Sequence, residues 1–255
     1  MTVLSPCVEW LFTEGGGPFA ERVRRAAAAG FRQVELWTTR DKDVAELELA
    51  VQETGVTVTA FVSEPTARLV DPATHAEFLA GVETSCALAA RLHARCLIVV
   101  SGDDRPGVGR RVQREALTQA LRRAAPIAAR HGNTLLLEPL NTRIDHAGYF
   151  LDSTAEALQV VRDVDHPSLR LLYDMYHSIV MGEDPKSVLG GSGELVGHVH
   201  IADVPGRHEP GSGAVDWPRQ LGALRDAGYA GALGLEYMPS RDTLSSLQLI
   251  RRLER

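Results

Sequence analysis

Short aliphatic runs alternate with longer amphipathic stretches eight times along these 255 residues, and few architectures accommodate that rhythm. The predicted strands are Pro6–Phe12, Gln33–Trp37, Val56–Val62, Cys96–Ser101, Thr134–Glu138, Leu169–Asp174, Gly197–Ile201 and Gly234–Tyr237. Runs such as Cys-Leu-Ile-Val-Val and Thr-Leu-Leu-Leu lack strict alternation, as expected of parallel strands buried on both faces. The predicted helices are Pro18–Ala29, Asp43–Thr54, Ala73–Leu92, Gly109–Arg130, Ser153–Val164, Pro185–Leu189, Trp217–Ala227 and Asp242–Leu253. Gly30, Gly55 and Gly228 stand just past three of them, where a left-handed residue commonly ends a helix. Each unit has roughly 32 residues, one strand with its crossover helix. The total is close to the ~250 residues of a closed barrel. The expected fold is therefore α/β, a single (β/α)8 TIM barrel, with residues 1–255 forming one domain. No Pro/Gly/Ser-rich linker divides the chain; the richest such stretch, Pro205–Gly213, reads as a loop after the seventh strand. An open doubly wound sheet is the alternative. Gly15-Gly16-Gly17 follows the first strand, but no GxGxxG with its acidic ribose partner accompanies it.

Charge and cysteine content narrow the functional classes. The chain carries 27 Lys+Arg against 33 Asp+Glu, a formal charge of -6. Nucleic-acid binding needs a basic field that displaces counterions, so no nucleic-acid partner is expected. A small anionic substrate stays compatible, because one local arginine can hold it. Cys7, Cys86 and Cys96 form no CxxC pair, which argues against a disulfide scaffold or a cysteine zinc site. They fit a reducing cytoplasm. The start, Met1-Thr2-Val3 with Glu9 following, lacks the pattern of a signal peptide. No run approaches the roughly 20 apolar residues that span a bilayer, so no membrane partner is expected.

In a barrel of this kind, chemistry collects at the C-terminal ends of the strands. Strand five ends in Glu138, strand six in Asp174, strand seven carries His200 and strand eight Glu236. The gaps of 36, 26 and 36 residues are each about one βα unit, so four adjacent strands offer one metal-binding side chain at a common level. Three carboxylates and an imidazole suit a hard divalent cation, Mn2+ or Mg2+, with Co2+ also admissible. Apolar flanks at Leu135–Leu137 and Leu233–Leu235 predict burial, where unpaired carboxylates are costly. A cation would satisfy all three acids together. Residues two apart share a face of a strand. His198 therefore lies one layer beneath His200 and reads as a hydrogen-bonded core histidine, and Gly234 leaves space beneath Glu236.

Loop residues supply further candidates. His177, three residues past Asp174, can lean over the site, and Arg207 in Gly206-Arg207-His208-Glu209 can anchor a carboxylate or hydroxyl. Glu35 and Glu64 close strands two and three and could line the opposite wall or form structural salt bridges. Trp10, Trp37 and Phe12 could form an apolar wall or ordinary packing. His75, His93, His131, His146 and His166 are expected at the surface.

These residues give the chain a resemblance to the sugar isomerase/epimerase superfamily with xylose-isomerase-like barrels, and within it to the hydroxypyruvate isomerase family. The resemblance rests on Leu11–Glu14, Ala29-Gly30-Phe31, Leu137-Glu138-Pro139-Leu140-Asn141 and Gly148–Leu151. It continues through Tyr173-Asp174-Met175-Tyr176-His177, His200–Arg207, Glu209–Gly213 and Gly234–Tyr237. It covers most of the C-terminal half and is patchy in the N-terminal half. It implies that Glu138, Asp174, His200 and Glu236 hold the metal, that Glu138 and Glu236 are also the catalytic acid/base pair, and that His177 and Arg207 bind substrate. It further implies a small hydroxy-carbonyl or sugar substrate and a homo-oligomer, dimer or tetramer.

Two departures stand out. Many hydroxypyruvate isomerases carry Gln where this chain has His200, and His there resembles the ketose 3-epimerases. The family's Asn-Leu-Pro-Ala-Gly type loop after strand three is replaced by the shorter Val62-Ser63-Glu64-Pro65-Thr66. The expected activity is a metal-dependent isomerase acting through an enediolate, hydroxypyruvate to tartronate semialdehyde first. A ketose 3-epimerase or tetrulose-type isomerase is the alternative. A metal phosphodiesterase resembling endonuclease IV is more distant, since it needs more histidine ligands and a basic face.

Overall fold

The computed structural model describes residues 3–253. Its strands are β1 (Leu4–Pro6), β2 (Gln33–Val34), β3 (Thr57–Val58), β4 (Ala60–Val62), β5 (Cys96–Val100), β6 (Thr134–Glu138), β7 (Leu169–Asp174), β8 (Val196–Ile201) and β9 (Leu233–Leu235). Its α-helices are α1 (Phe19–Ala28), α2 (Val44–Thr54), α3 (His75–Arg91), α4 (Arg110–Arg130), α5 (Thr154–Val164), α6 (Met175–Met181), α7 (Pro185–Leu189), α8 (Trp217–Asp226) and α9 (Thr243–Leu253). None of the described helices is long and apolar enough to cross a membrane.

All strand pairs are parallel. Seven strands run in the order β1-β9-β8-β7-β6-β5-β4, and β2 pairs with β3. Backbone bonds close the ring. Val8 N–H donates to Glu35 O at 2.9 Å, Thr59 N–H to Val34 O at 2.7 Å and Val62 N–H to Trp37 O at 2.9 Å. β3 and β4 are two pieces of one stave interrupted at Thr59, so the chain forms the expected eight-stave barrel with helices outside.

Side-chain parity organises the interior. From β5 to β9 the odd positions, such as Leu97, Leu135, Leu171, Val199 and Leu235, join the large core shared with the helices. The even positions Ile98, Leu136 and Leu172, with Ala60, form a separate inner cluster. Burying each leucine contributes about 1.5–3 kcal/mol. One pleat above that inner layer, the same parity carries Glu138, Asp174, His200 and Glu236. In the ladders Asp174 stands beside His200, and His200 beside Gly234.

Three expectations need correction. The first strand is Leu4–Pro6 rather than Pro6–Phe12: Leu11 N–H turns back to Cys7 O at 3.1 Å, and Phe12 has φ 61°. The eighth strand ends at Leu235, leaving Glu236 just beyond it. The segment after Asp174, not predicted as helix, is the two-turn α6. Asp174 itself caps α6, accepting from Tyr176 N–H at 2.7 Å and His177 N–H at 3.2 Å.

Candidate functional site

At the C-terminal mouth of the barrel, Glu138, Asp174, His200 and Glu236 converge, each offering one atom within 4.8 Å of the others. All four are buried. His200 Nδ1 lies 3.2 Å from Glu236 Oε2, 3.6 Å from Glu138 Oε1 and 3.9 Å from Asp174 Oδ2. Yet this nitrogen is buried without a hydrogen-bond partner among the described residues. A lone nitrogen facing three carboxylate oxygens is the donor set of a hard divalent cation. The residues present therefore fit such an ion.

Arg207 and His177 flank the cluster, so all six residues singled out from the sequence meet here. Arg207 Nη2 donates to Glu236 Oε2 at 2.5 Å and Asp174 Oδ2 at 3.1 Å, while its Nε is buried without a partner among the described residues. Its guanidinium lies over Tyr176 and Trp10, 4.7 and 5.3 Å from the ring centroids. The loop that carries Arg207 is built around buried Asp203. That carboxylate accepts from the N–H groups of Val204, Gly211 and Val215 and from Trp217 Nε1. Arg207 has φ 55°, and its carbonyl is bonded by Met238 N–H at 2.9 Å.

His177 has a defined tautomer. Its Nδ1 accepts from Asn141 N–H at 3.1 Å and Asn141 Nδ2 at 2.6 Å, so the proton sits on Nε2, 3.5 Å from Asp174 Oδ2. Burial, helped by the Arg207 charge, pushes its pKa down to about 3. It therefore presents a neutral N–H donor at physiological pH.

The other charges are strongly coupled. Burial raises Glu236, but Arg207 and then His200 outweigh it and hold the carboxyl well below its ordinary range. Trp37 Nε1 donates to its other oxygen at 2.5 Å. Burial raises Asp174, opposed by Arg207 and reinforced by Glu236.

Above the cluster opens a cavity of about 620 Å³, lined by Trp10, Trp37, Tyr176, His146, Asp145 and Met238 among others. Trp10 and Trp37 meet edge to face at 4.7 Å. Phe12 is not part of this wall; it packs under α1 and α9 on the outside of the barrel, facing Phe31 and donating its N–H to Thr243. Glu64 is turned to the rim, where Thr38, Thr39 and Arg40 hold it. Glu35 is not in the wall either. It lies beneath the cluster, with Oε2 at 2.8 Å from His198 Nε2 and 3.3 Å from His200 Nε2. His198 is the buried, hydrogen-bonded histidine expected.

Two histidines expected at the surface are placed otherwise. His75 is buried and bonds Leu69 O at 2.9 Å. His146 lines the cavity with its ring 5.5 Å from His177. Asn141, Asp145 and Tyr176 were not singled out individually. Buried Asn141 accepts from Ile144 and Asp145 N–H, curling the loop that brings Asp145 and His146 over the mouth. The only signal for Asn141 and Tyr176 was their place in the motifs Leu-Glu-Pro-Leu-Asn and Tyr-Asp-Met-Tyr-His.

A family model described as xylose isomerase-like TIM barrel matches residues 23–253. A 2-oxo-tetronate isomerase of Cupriavidus necator is 30% identical, over 90% of this chain and 90% of its own. A putative hydroxypyruvate isomerase of Homo sapiens is 33% identical, over 96% of this chain and 92% of its own. Among solved structures, a Brucella melitensis protein described as AP endonuclease, family 2, is 32% identical with a TM-score of 0.90, covering 99% of both chains.

Proposed function

Because the chain belongs to the xylose isomerase-like TIM barrel family, in its hydroxypyruvate isomerase group, we propose that its four-residue cluster is a divalent-metal centre for isomerising a small 2-hydroxy-carbonyl compound. Isomerase is the class named for its curated relatives. The first-choice substrate is hydroxypyruvate, converted to tartronate semialdehyde by one catalytic domain over residues 1–255 of a cytoplasmic protein. The observation that carries the reading is buried His200 Nδ1, which makes no hydrogen bond among the described residues and faces Glu138, Asp174 and Glu236.

Glu138, Asp174, His200 and Glu236 would hold Mn2+ or Mg2+. When bound, such an ion supplies Lewis-acid stabilisation of the negative charge that develops on the substrate's two oxygens. Glu138 and Glu236 are the acid/base pair. One removes a proton from C3 of hydroxypyruvate, a proton is delivered to C2, and the C3 hydroxyl proton passes to the C2 oxygen, so the carbonyl moves without net loss of atoms. Arg207 offers the guanidinium N–H groups that make no hydrogen bond among the described residues to the substrate carboxylate, and His177 offers Nε2–H to a substrate oxygen. Trp10 and Trp37 exclude water from one side.

Two opposed glutamates also permit return of the proton to the original carbon from the other face, which is epimerisation. His200 favours keeping that outcome in view, with tetruloses and ketohexoses as substrates. The Brucella relative's name brings in apurinic DNA cleavage, but the cluster has one imidazole and the chain a net charge of -6.

The test is hydroxypyruvate turnover, with tartronate semialdehyde read by NMR. Protein stripped with EDTA is expected to lose activity and regain it with Mn2+. Full turnover in the stripped protein contradicts the metal centre. Mn2+-dependent turnover of a tetrulose or ketohexose but not hydroxypyruvate replaces the substrate, and cleavage of apurinic DNA replaces the class.

A further inference from the structure

Glu35 follows β2 and forms an isolated bridge with Cys7, and its side chain enters the barrel interior to meet His198 and His200 of β8. It is buried, yet among the described residues it pairs with no lysine or arginine. Its partners are two imidazoles, His198 at 2.8 Å and His200 at 3.3 Å, both meeting the same oxygen through Nε2. A buried carboxylate without such partners is costly, and a metal-binding histidine commonly gives its other N–H to a carboxylate that sets its tautomer. The two nitrogens of His200 thus face different surroundings. Nε2 looks down at Glu35, and Nδ1 looks up at Glu138, Asp174 and Glu236.

Gly234 makes this arrangement fit. It stands beside His200 in the ladder, and a Cβ there would collide with Glu35 Oε1, His200 Cδ2 and His198 Nε2. The barrel has thus kept room for a carboxylate and two edge-packed imidazoles, whose rings cross at 88° with centroids 5.1 Å apart.

We propose that Glu35 is a positioning residue for the metal centre: by accepting the Nε2 proton of His200 from inside the barrel, it fixes the tautomer whose Nδ1 lone pair faces the three carboxylates. The inference rests on reading those four residues as a metal centre. Glu35 touches neither substrate nor ion. Without its acceptor, the His200 proton can move to Nδ1 and donate to Glu236, 3.2 Å away, which removes the lone pair from the centre. His198, bonded to the same oxygen, keeps the carboxylate from turning away.

The test measures Mn2+ binding by the EPR signal of the free ion and reads the His200 tautomer by long-range 1H–15N correlation in Zn2+-loaded protein. In the wild type the proton is expected on Nε2 of His200, with Nδ1 shifted by the metal. Glu35→Gln is expected to raise the Mn2+ dissociation constant about 10- to 100-fold. Glu35→Asp, which keeps the negative acceptor, is expected between that and the wild type. A protonated Nδ1 in the loaded wild type overturns the proposal even if neither variant folds. Unchanged Mn2+ affinity in Glu35→Gln overturns it while leaving the metal centre intact. If the wild type takes up no Mn2+, the metal centre itself falls, and the positioning role with it.

Discussion

Glu138→Gln and Glu236→Gln are each expected to lower hydroxypyruvate turnover by about 1,000-fold, within the range that positioned acid/base groups supply. Glutamine keeps the shape and one acceptor oxygen but cannot take or return a proton. The two sites differ in surroundings. Glu236 is gripped by Trp37 Nε1 and Arg207 Nη2, both at 2.5 Å, and is held ionised by Arg207 and His200 despite its burial. Glu138 closes β6 with no arginine partner among the described residues, its Oε1 lying 3.6 Å from His200 Nδ1. Because both also belong to the proposed ligand set, Mn2+ content must be measured beside the rate. Loss of turnover with the metal retained isolates the proton-transfer role. Full activity of either variant contradicts the two-glutamate mechanism.

Arg207→Ala is expected to reduce kcat/KM for hydroxypyruvate by about 100-fold, as for loss of a hydrogen bond to a charged group. The side chain is buried over Tyr176 and Trp10, and Nη2 is already engaged by Asp174 and Glu236. What it has left are Nε and Nη1, neither of them hydrogen-bonded among the described residues. Removing the guanidinium takes a cation away from two carboxylates, so Mn2+ binding should be retained. Arg207→Lys is expected to recover only part of the loss, because an ammonium cannot reproduce the planar fork. Unchanged kinetics in Arg207→Ala with hydroxypyruvate remove Arg207 from substrate binding.

The strand-end carboxylates were readable from sequence because strand parity is a local rule. Once Leu135–Leu137 is a strand in a barrel, Glu138 must point inward, and the same holds for Asp174 after Leu172 and for Glu236 after Gly234. His200 followed from its alternation with His198. The first strand was misplaced for the converse reason. Val8, Leu11 and Phe12 are apolar and buried in either conformation, so hydrophobicity alone could not separate a strand from a turn. The two turns of α6 begin directly at Asp174, and with the strand's last residue serving as the helix cap there was no intervening loop to mark the boundary.

The role proposed for Glu35 was not legible because its partners lie 163 and 165 residues away, on a stave separated from its own by β1 and β9, and they meet only across the closed barrel's interior. His146 was hidden similarly. Its loop curls over the mouth through bonds to Asn141, and no periodicity records that fold-back. Phe12 lies six residues past the end of β1 and packs by Thr243, while Glu64 turns to the rim and pairs with Arg40, the structural salt bridge that was its alternative. Parity therefore located the cluster, while closure and loop conformation decided what surrounds it.

The central claim is that this barrel runs enediolate chemistry, and deuterium exchange tests it most directly. The Mn2+-loaded protein is incubated in D2O with hydroxypyruvate, and proton NMR follows the carbon next to the carbonyl. The expected result is deuterium at that carbon together with the appearance of tartronate semialdehyde, both lost on chelation. Metal-loaded protein that exchanges no proton from hydroxypyruvate, a tetrulose or a ketohexose would contradict the claim.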